Sequence, residues 1–167
     1  LDQRLVEGID FHSAIFTNLT QDHLDYHKTF KDYFQAKSLL FRGLSAESFC
    51  VVNQDDKYAK SLKQLTKAKV ITYGIDNQAD VRAEEIRFDI ARTGFKVVTA
   101  KGKIDFTSCL IGRHNVYNLL AAWAWALAEG LALPMIKSGL ENFSIVPGRL
   151  ERVGSRREDF SVFVDYA

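Results

Sequence analysis

Lys37 lies where a charged residue is least expected. Phe30, Phe34, Lys37 and Phe41 recur at i, i+4, i+7 and i+11, the spacing of one helix face. The lysine therefore shares a stripe with aromatic rings, and two readings are open. Its four-carbon stem could pack along the stripe while the ammonium snorkels to water. Alternatively the head group is partly desolvated, which makes an amine a usable nucleophile toward carbon dioxide. The resulting carbamate is a carboxylate on a long arm, suited to a hard cation such as Mg²⁺.

Other residues add to this set. In "DHLDYH", His23 and His27 stand four apart with Asp22 and Asp25 interleaved. On a helix the histidines would share a face, as metal ligands or beside a helix start capped by Thr20 or Asp22. In "GRHNVYN", Asn115 and Asn118 share a face where a helix begins. Asn115 could be an N-cap, or the two amides could read a purine edge through donor–acceptor pairs. Arg149 follows a Pro-Gly turn and could meet phosphate or carboxylate. Asp165, at the tip of a strand-like run, has the usual position for ligand contact in an α/β sheet. His12 and His114 are isolated and read as ordinary residues.

The elements that must position these groups are legible in outline. "FHSAIFTNL", "ESFCVVNQDD" and "AKVITYGID" are short apolar runs that predict buried strands, with helices over 29–41 and 56–66 between them. Strand–helix–strand alternation at this spacing predicts right-handed βαβ units and a parallel sheet covered on both faces. Residues 80–111 alternate instead, with turn signals at Thr93-Gly94 and Lys101-Gly102, and predict a small antiparallel meander. "HNVYNLLAAWAWALAEG" predicts a helix ending near Gly130, and Pro134 opens another. Two strands follow, in "VPGRLERV" and "DFSVFVDYA", and the composition shift at Pro147-Gly148 marks a domain boundary.

Composition bounds the function. A chain of 167 residues, 47% hydrophobic, can bury a core of its own. A net charge of +1 provides no general field for nucleic acid. "LLAAWAWALA" is far shorter than the roughly 20 apolar residues of a membrane span. Cys50 and Cys109 sit in apolar runs without CxxC spacing and read as reduced core residues of a cytosolic protein. The chain starts without Met and stops within a strand-like run, which reads as an excerpt from something longer.

Taken in order, "FTNLTQDHLDYH", "AK" ten residues on, "GRHNVYNLLAA", "PGRLERV" and "VDYA" closely resemble the Mur ligases. The resemblance runs from Leu1 to Ala167, and DHLDYH is most typical of the member that adds the third residue of the peptidoglycan stem peptide. It implies an α/β fold: the latter part of a central ATPase domain over 1–147, then the start of a C-terminal domain over 148–167. The sheet is expected to be mostly parallel with helices on both faces, plus a small antiparallel sheet. The implied enzyme is cytoplasmic and monomeric, with no membrane or nucleic-acid partner. It uses ATP and Mg²⁺ to convert the D-Glu side-chain carboxylate of UDP-N-acetylmuramoyl-L-alanyl-D-glutamate into an acyl phosphate. A diamino acid, meso-diaminopimelate or L-lysine, then attacks to give an amide, ADP and phosphate.

The resemblance also assigns roles. His23 matches a magnesium-binding histidine and Lys37 the lysine that becomes carbamylated. Asn115 and Asn118 match positions near adenine. Arg149 and Asp165 match residues that reach ATP, and Gln3 one that contacts the muramoyl peptide. The family reads Gln, any residue, Arg, whereas this chain reads Gln3, Arg4, Leu5, so the substrate-contacting arginine is offset by one. No GxxxxGK[ST] loop occurs in the chain. Alone, this segment is therefore expected to fold at best partly and to bind no ATP at sub-millimolar concentration. The rival readings are a folylpolyglutamate synthetase-like ligase, a hydrolase using a metal on His23 and His27, and a non-catalytic remnant of the fold.

Overall fold

The run Phe49–Asn53 forms a strand (β2) whose five residues are all buried, as expected of a parallel strand covered on both faces. The computed structural model describes residues 6, 8–19, 29–143, 151–153 and 162–164. β2 lies between β1 (Ser13–Phe16) and β3 (Lys69–Gly74), parallel to both. Alternate side chains feed two cores. Phe49 and Val51 join Tyr73, Val97, Leu120 and Trp123 on one face. Cys50 and Val52 join Phe16, Phe41, Leu44 and Leu62 on the other. The first core is covered by α3 (Arg113–Ala128), the second by α1 (Phe30–Gly43) and α2 (Ala59–Leu65).

The meander consists of β4 (Val81–Phe88), β5 (Thr93–Thr99) and β6 (Gly102–Ser108). It continues the parallel sheet edge to edge, in the order β1-β2-β3-β4-β5-β6. β4 pairs parallel with β3 only at Tyr73↔Val81 and Gly74↔Arg82. It thus starts beside the tip of β3 and runs on past it. This sideways step is why the link 75–80 suffices where an ordinary parallel crossover needs a dozen residues or more. Asp80 pins the step by accepting from the Thr72 amide (2.7 Å) and hydroxyl (2.6 Å).

Two expectations need correction here. Thr93-Gly94 is no turn: both residues pair with β6, and Thr93 is wholly buried. The chain reverses earlier, where the Asp89 amide donates to the Arg92 carbonyl (2.8 Å) and the Asp89 carboxylate accepts from the Ile90 amide (2.6 Å). Cys109 is exposed, continuing the outward positions Lys103, Asp105 and Thr107 of the β6 alternation, whereas Cys50 is buried and burial pushes its thiol up to about 11.

Helix ends are set by local chemistry. Thr29 caps α1, its hydroxyl accepting from the Asp32 amide (3.1 Å). α3 closes in a Schellman motif: Gly130, at φ 83°, donates to Leu127 and Leu131 donates to Ala126. Leu133–Glu141 is α4, with Pro134 in its first turn. A separate antiparallel pair is formed by β7 (Glu151–Val153) and β8 (Val162–Val164). The boundary at 147/148 lies outside the described residues. Among the described residues, no helix is long and apolar enough to cross a membrane.

Candidate functional site

The carboxyl ends of the parallel strands are where open α/β sheets bind ligands. Here those ends are tied into one rim. Asn53, the last residue of β2, donates its amide to the Thr17 carbonyl (2.8 Å). Tyr73 reaches from β3 to the Phe16 carbonyl (3.3 Å), and the Leu19 amide donates to Asp56 Oδ2 (3.0 Å). Burial pushes the Tyr73 pKa above the usual phenol range, so its hydroxyl remains a donor.

Lys37 reaches this rim from α1. Phe34 stacks on Tyr58 (4.8 Å between centroids) and Phe41 meets Phe16 edge-on (6.1 Å), so the stripe is the inward face. Lys37 is half-buried on it. Its Nζ stands 3.5 Å from the Asn18 carbonyl, just beyond β1, and 4.8 Å from the centre of the Tyr33 ring. The side chain borders a hollow of about 200 Å³ formed by Ile15, Phe16, Thr17, Asn18, Leu40 and Phe41. Thus the stem packs as in the snorkelling reading, but the head group is directed at the strand tip beside a cavity.

The two asparagines reach the same edge from the opposite face of the sheet. Asn115 is buried and is not the N-cap, a place taken by Gly112. Its backbone amide already bonds the Gly112 carbonyl (3.0 Å), and its side-chain amide turns back to the Ile111 carbonyl (2.8 Å). Asn118, which is exposed, donates to Asn115 Oδ1 (3.3 Å). The pair is therefore brought together, with Asn118 left exposed to solvent. Gly112 enters the helix at φ 99°, ψ 152°, a region other residues avoid, and a Cβ there would lie 2.9 Å from the His114 ring. Gly112→Ala should cost about 1–3 kcal/mol, read as a lowered unfolding temperature. An unchanged temperature would contradict this entry geometry.

A network that the sequence reading passes over holds the same helix end. Asp55 follows β2, and its carboxylate accepts from the backbone amides of Ile75 (2.6 Å), Asp76 (3.0 Å) and Asn77 (2.8 Å). It also accepts from the Asn77 side chain (2.9 Å) and the Tyr117 hydroxyl (2.9 Å). Arg113 Nη2 donates to both carboxylate oxygens of Asp76 (2.6 and 2.7 Å). Desolvation pulls the Asp55 pKa upward, but the bonds from Ile75, Asp76, Asn77 and Tyr117 outweigh it and hold the carboxyl below its usual range. Tyr117 is pushed up to about 12, by burial first and then by its bond to Asp55. The available signal was the "NQDD" tip, acids at the carboxyl end of a buried strand.

Gln3, Arg4, His23, His27, Arg149 and Asp165 lie outside the described residues. Among the described residues, no group of three His, Cys, Asp or Glu side chains could hold a metal ion.

The family model for the Mur ligase middle domain matches residues 1–126. The chain belongs to this family. It is 49% identical, over 97% of its length, to UDP-N-acetylmuramoyl-L-alanyl-D-glutamate–2,6-diaminopimelate ligase of Bacillus velezensis, and covers 34% of that protein. A solved structure of a ligase of the same name superposes with a TM-score of 0.85 at 30% identity, over 99% of this chain and 34% of the other. MurF from Acinetobacter baumannii superposes at 0.84 with 28% identity, over 92% of this chain and 33% of that one. The chain thus spans about a third of the length of the relatives it matches. Their architecture agrees with the mostly parallel sheet and flanking helices of this Mur ligase domain.

Proposed function

We propose that the protein carrying this chain is an ATP-dependent amide-forming ligase that extends UDP-N-acetylmuramoyl-L-alanyl-D-glutamate in the bacterial cytoplasm. The incoming residue is 2,6-diaminopimelate, a choice supported over lysine by the names of the relatives. Residues 1–147 act as the latter part of the central domain and 148–167 as the beginning of the next, in a monomeric enzyme. The observation that carries the reading is Lys37, with its Nζ at the β1 tip beside a hollow.

An ammonium cannot ligate a cation, so magnesium fits here only if Lys37 is carbamylated. The hollow of about 200 Å³ offers space for the added carboxylate. Lys37 and His23 would then hold Mg²⁺, which supplies charge neutralisation for phosphoryl transfer when bound. Asn118, exposed and steadied by Asn115, is suited to the base of ATP through the amide donor and acceptor that bond leaves over. Arg149 and Asp165 would approach the phosphates and ribose, and Gln3 and Arg4 the muramoyl peptide.

The full-length protein should release phosphate from ATP only when both the muramoyl dipeptide and diaminopimelate are present. His23→Ala should raise its magnesium requirement more than His27→Ala does. Phosphate release independent of the muramoyl peptide would refute the ligase assignment. Equal, small effects of the two histidine changes would return that pair to helix capping.

A further inference from the structure

Asp55 has no role in the proposed chemistry, yet it is among the most heavily hydrogen-bonded side chains of the rim. Its two oxygens collect the amides of residues 75–77 and the Tyr117 hydroxyl. Such convergence is close enough that a Cβ on Gly74 would stand 3.0 Å from Asp55 Oδ1. The carboxylate therefore joins three separate pieces of chain: the tip of β2, the link after β3 and the first turns of α3.

The third piece gives the network a function. Tyr117 is the residue immediately before Asn118 and two after Asn115. Its ring extends along the helix surface to Asp55, with the Arg113 guanidinium 5.7 Å from the ring centre. Arg113 ties the same helix end to Asp76 through Nη2, which is shared between the two carboxylate oxygens. Two side chains one helical turn apart thus tie the start of α3 to the rim, beside the core packing of Val116, Leu119 and Leu120. Asn118, the next residue along, is carried by the helix turn that Tyr117 ties down.

We infer that Asp55 is a positioning residue for nucleotide recognition, acting through Tyr117 to set the direction of the Asn118 amide. This rests on the assignment of Asn118 to the base of ATP. In that role the pair tunes binding and base preference more than turnover. A network of purely structural value would change stability without changing which nucleotide is preferred.

The test uses the full-length protein with ATP and inosine triphosphate, which differ at the base edge an amide would read. Tyr117→Phe removes only the hydroxyl and keeps the packed ring. It should raise KM for ATP about fivefold, the effect of one ordinary hydrogen bond, with a smaller change in kcat. The preference for ATP over inosine triphosphate should fall by a similar factor. Asp55→Asn should act in the same direction, with thermal unfolding confirming that the variant is folded. In an Asn118→Ala background, Tyr117→Phe should add less than about twofold, because the two act in one chain of contacts. Should Asn118→Ala weaken ATP while Tyr117→Phe does not, the Asp55 link alone is overturned. Full additivity of the two changes overturns it as well. Should Asn118→Ala leave KM and base preference unmoved, the assignment of Asn118 to the base fails, and this inference with it.

Discussion

Replacing Lys37 with alanine should lower turnover of the full-length protein about a hundredfold or more, because positioning and charge stabilisation are lost together. The expectation follows from where the side chain ends. A lysine that merely covered aromatic surface would direct its ammonium to open solvent, and truncating it would cost some packing. This one ends 3.5 Å from the Asn18 carbonyl, at the strand tip, beside a cavity. Lys37→Arg separates the two roles. Arginine keeps the positive charge and can still lie over Tyr33, but its guanidinium does not deprotonate and forms no carbamate. It should therefore be nearly as inactive as alanine. Removing dissolved carbon dioxide should also slow the unmodified protein, and added bicarbonate should restore it. Substantial activity in Lys37→Arg, together with indifference to carbon dioxide, would show that the lysine acts as a cation.

The period of apolar residues was enough to find Lys37, since the stripe through Phe34 and Phe41 is a local property of one helix. The three parallel strands were legible differently, from apolar runs of strand length, bounded by polar residues and separated by helical stretches. What local pattern could not reveal was a partner distant in sequence. The Asn18 carbonyl is 19 residues from Lys37, and Tyr117 is 62 from Asp55. The junction of β3 with β4 rests on two paired positions, too few to leave a periodic trace. The Thr29 cap was legible in principle, as a threonine followed three residues later by an acid. Thr93-Gly94 misled because turn-forming residue types also occur inside strands, where Gly94 simply faces Thr107.

Asp55 provides the second large effect, and its sign with pH can be worked out. Asp55→Ala would strip the acceptor from three consecutive backbone amides and from Tyr117. Asp76 and Asn77 are exposed, so water can replace part of what is lost. The expected cost is about 2 kcal/mol, near the middle of the range for an unsatisfied polar group. Because hydrogen bonds hold the folded carboxyl below its usual range, its stabilising contribution is complete above about pH 5, where the unfolded carboxyl is also ionised. As the pH falls from there through the depressed folded value, the carboxyl takes up a proton and the contribution disappears. The difference in unfolding temperature between the unmodified protein and Asp55→Ala should accordingly be constant from neutral pH down to about pH 5, then shrink toward pH 3. Subtracting the two curves removes the titration of every other carboxyl that the substitution leaves alone. Hydrogen exchange gives a local check, because the amides of Ile75, Asp76 and Asn77 should lose protection in Asp55→Ala while those of β2 keep theirs. A temperature difference that did not diminish in acid would mean that the ionised carboxylate is not what holds the β2 tip, the 75–77 link and α3 together.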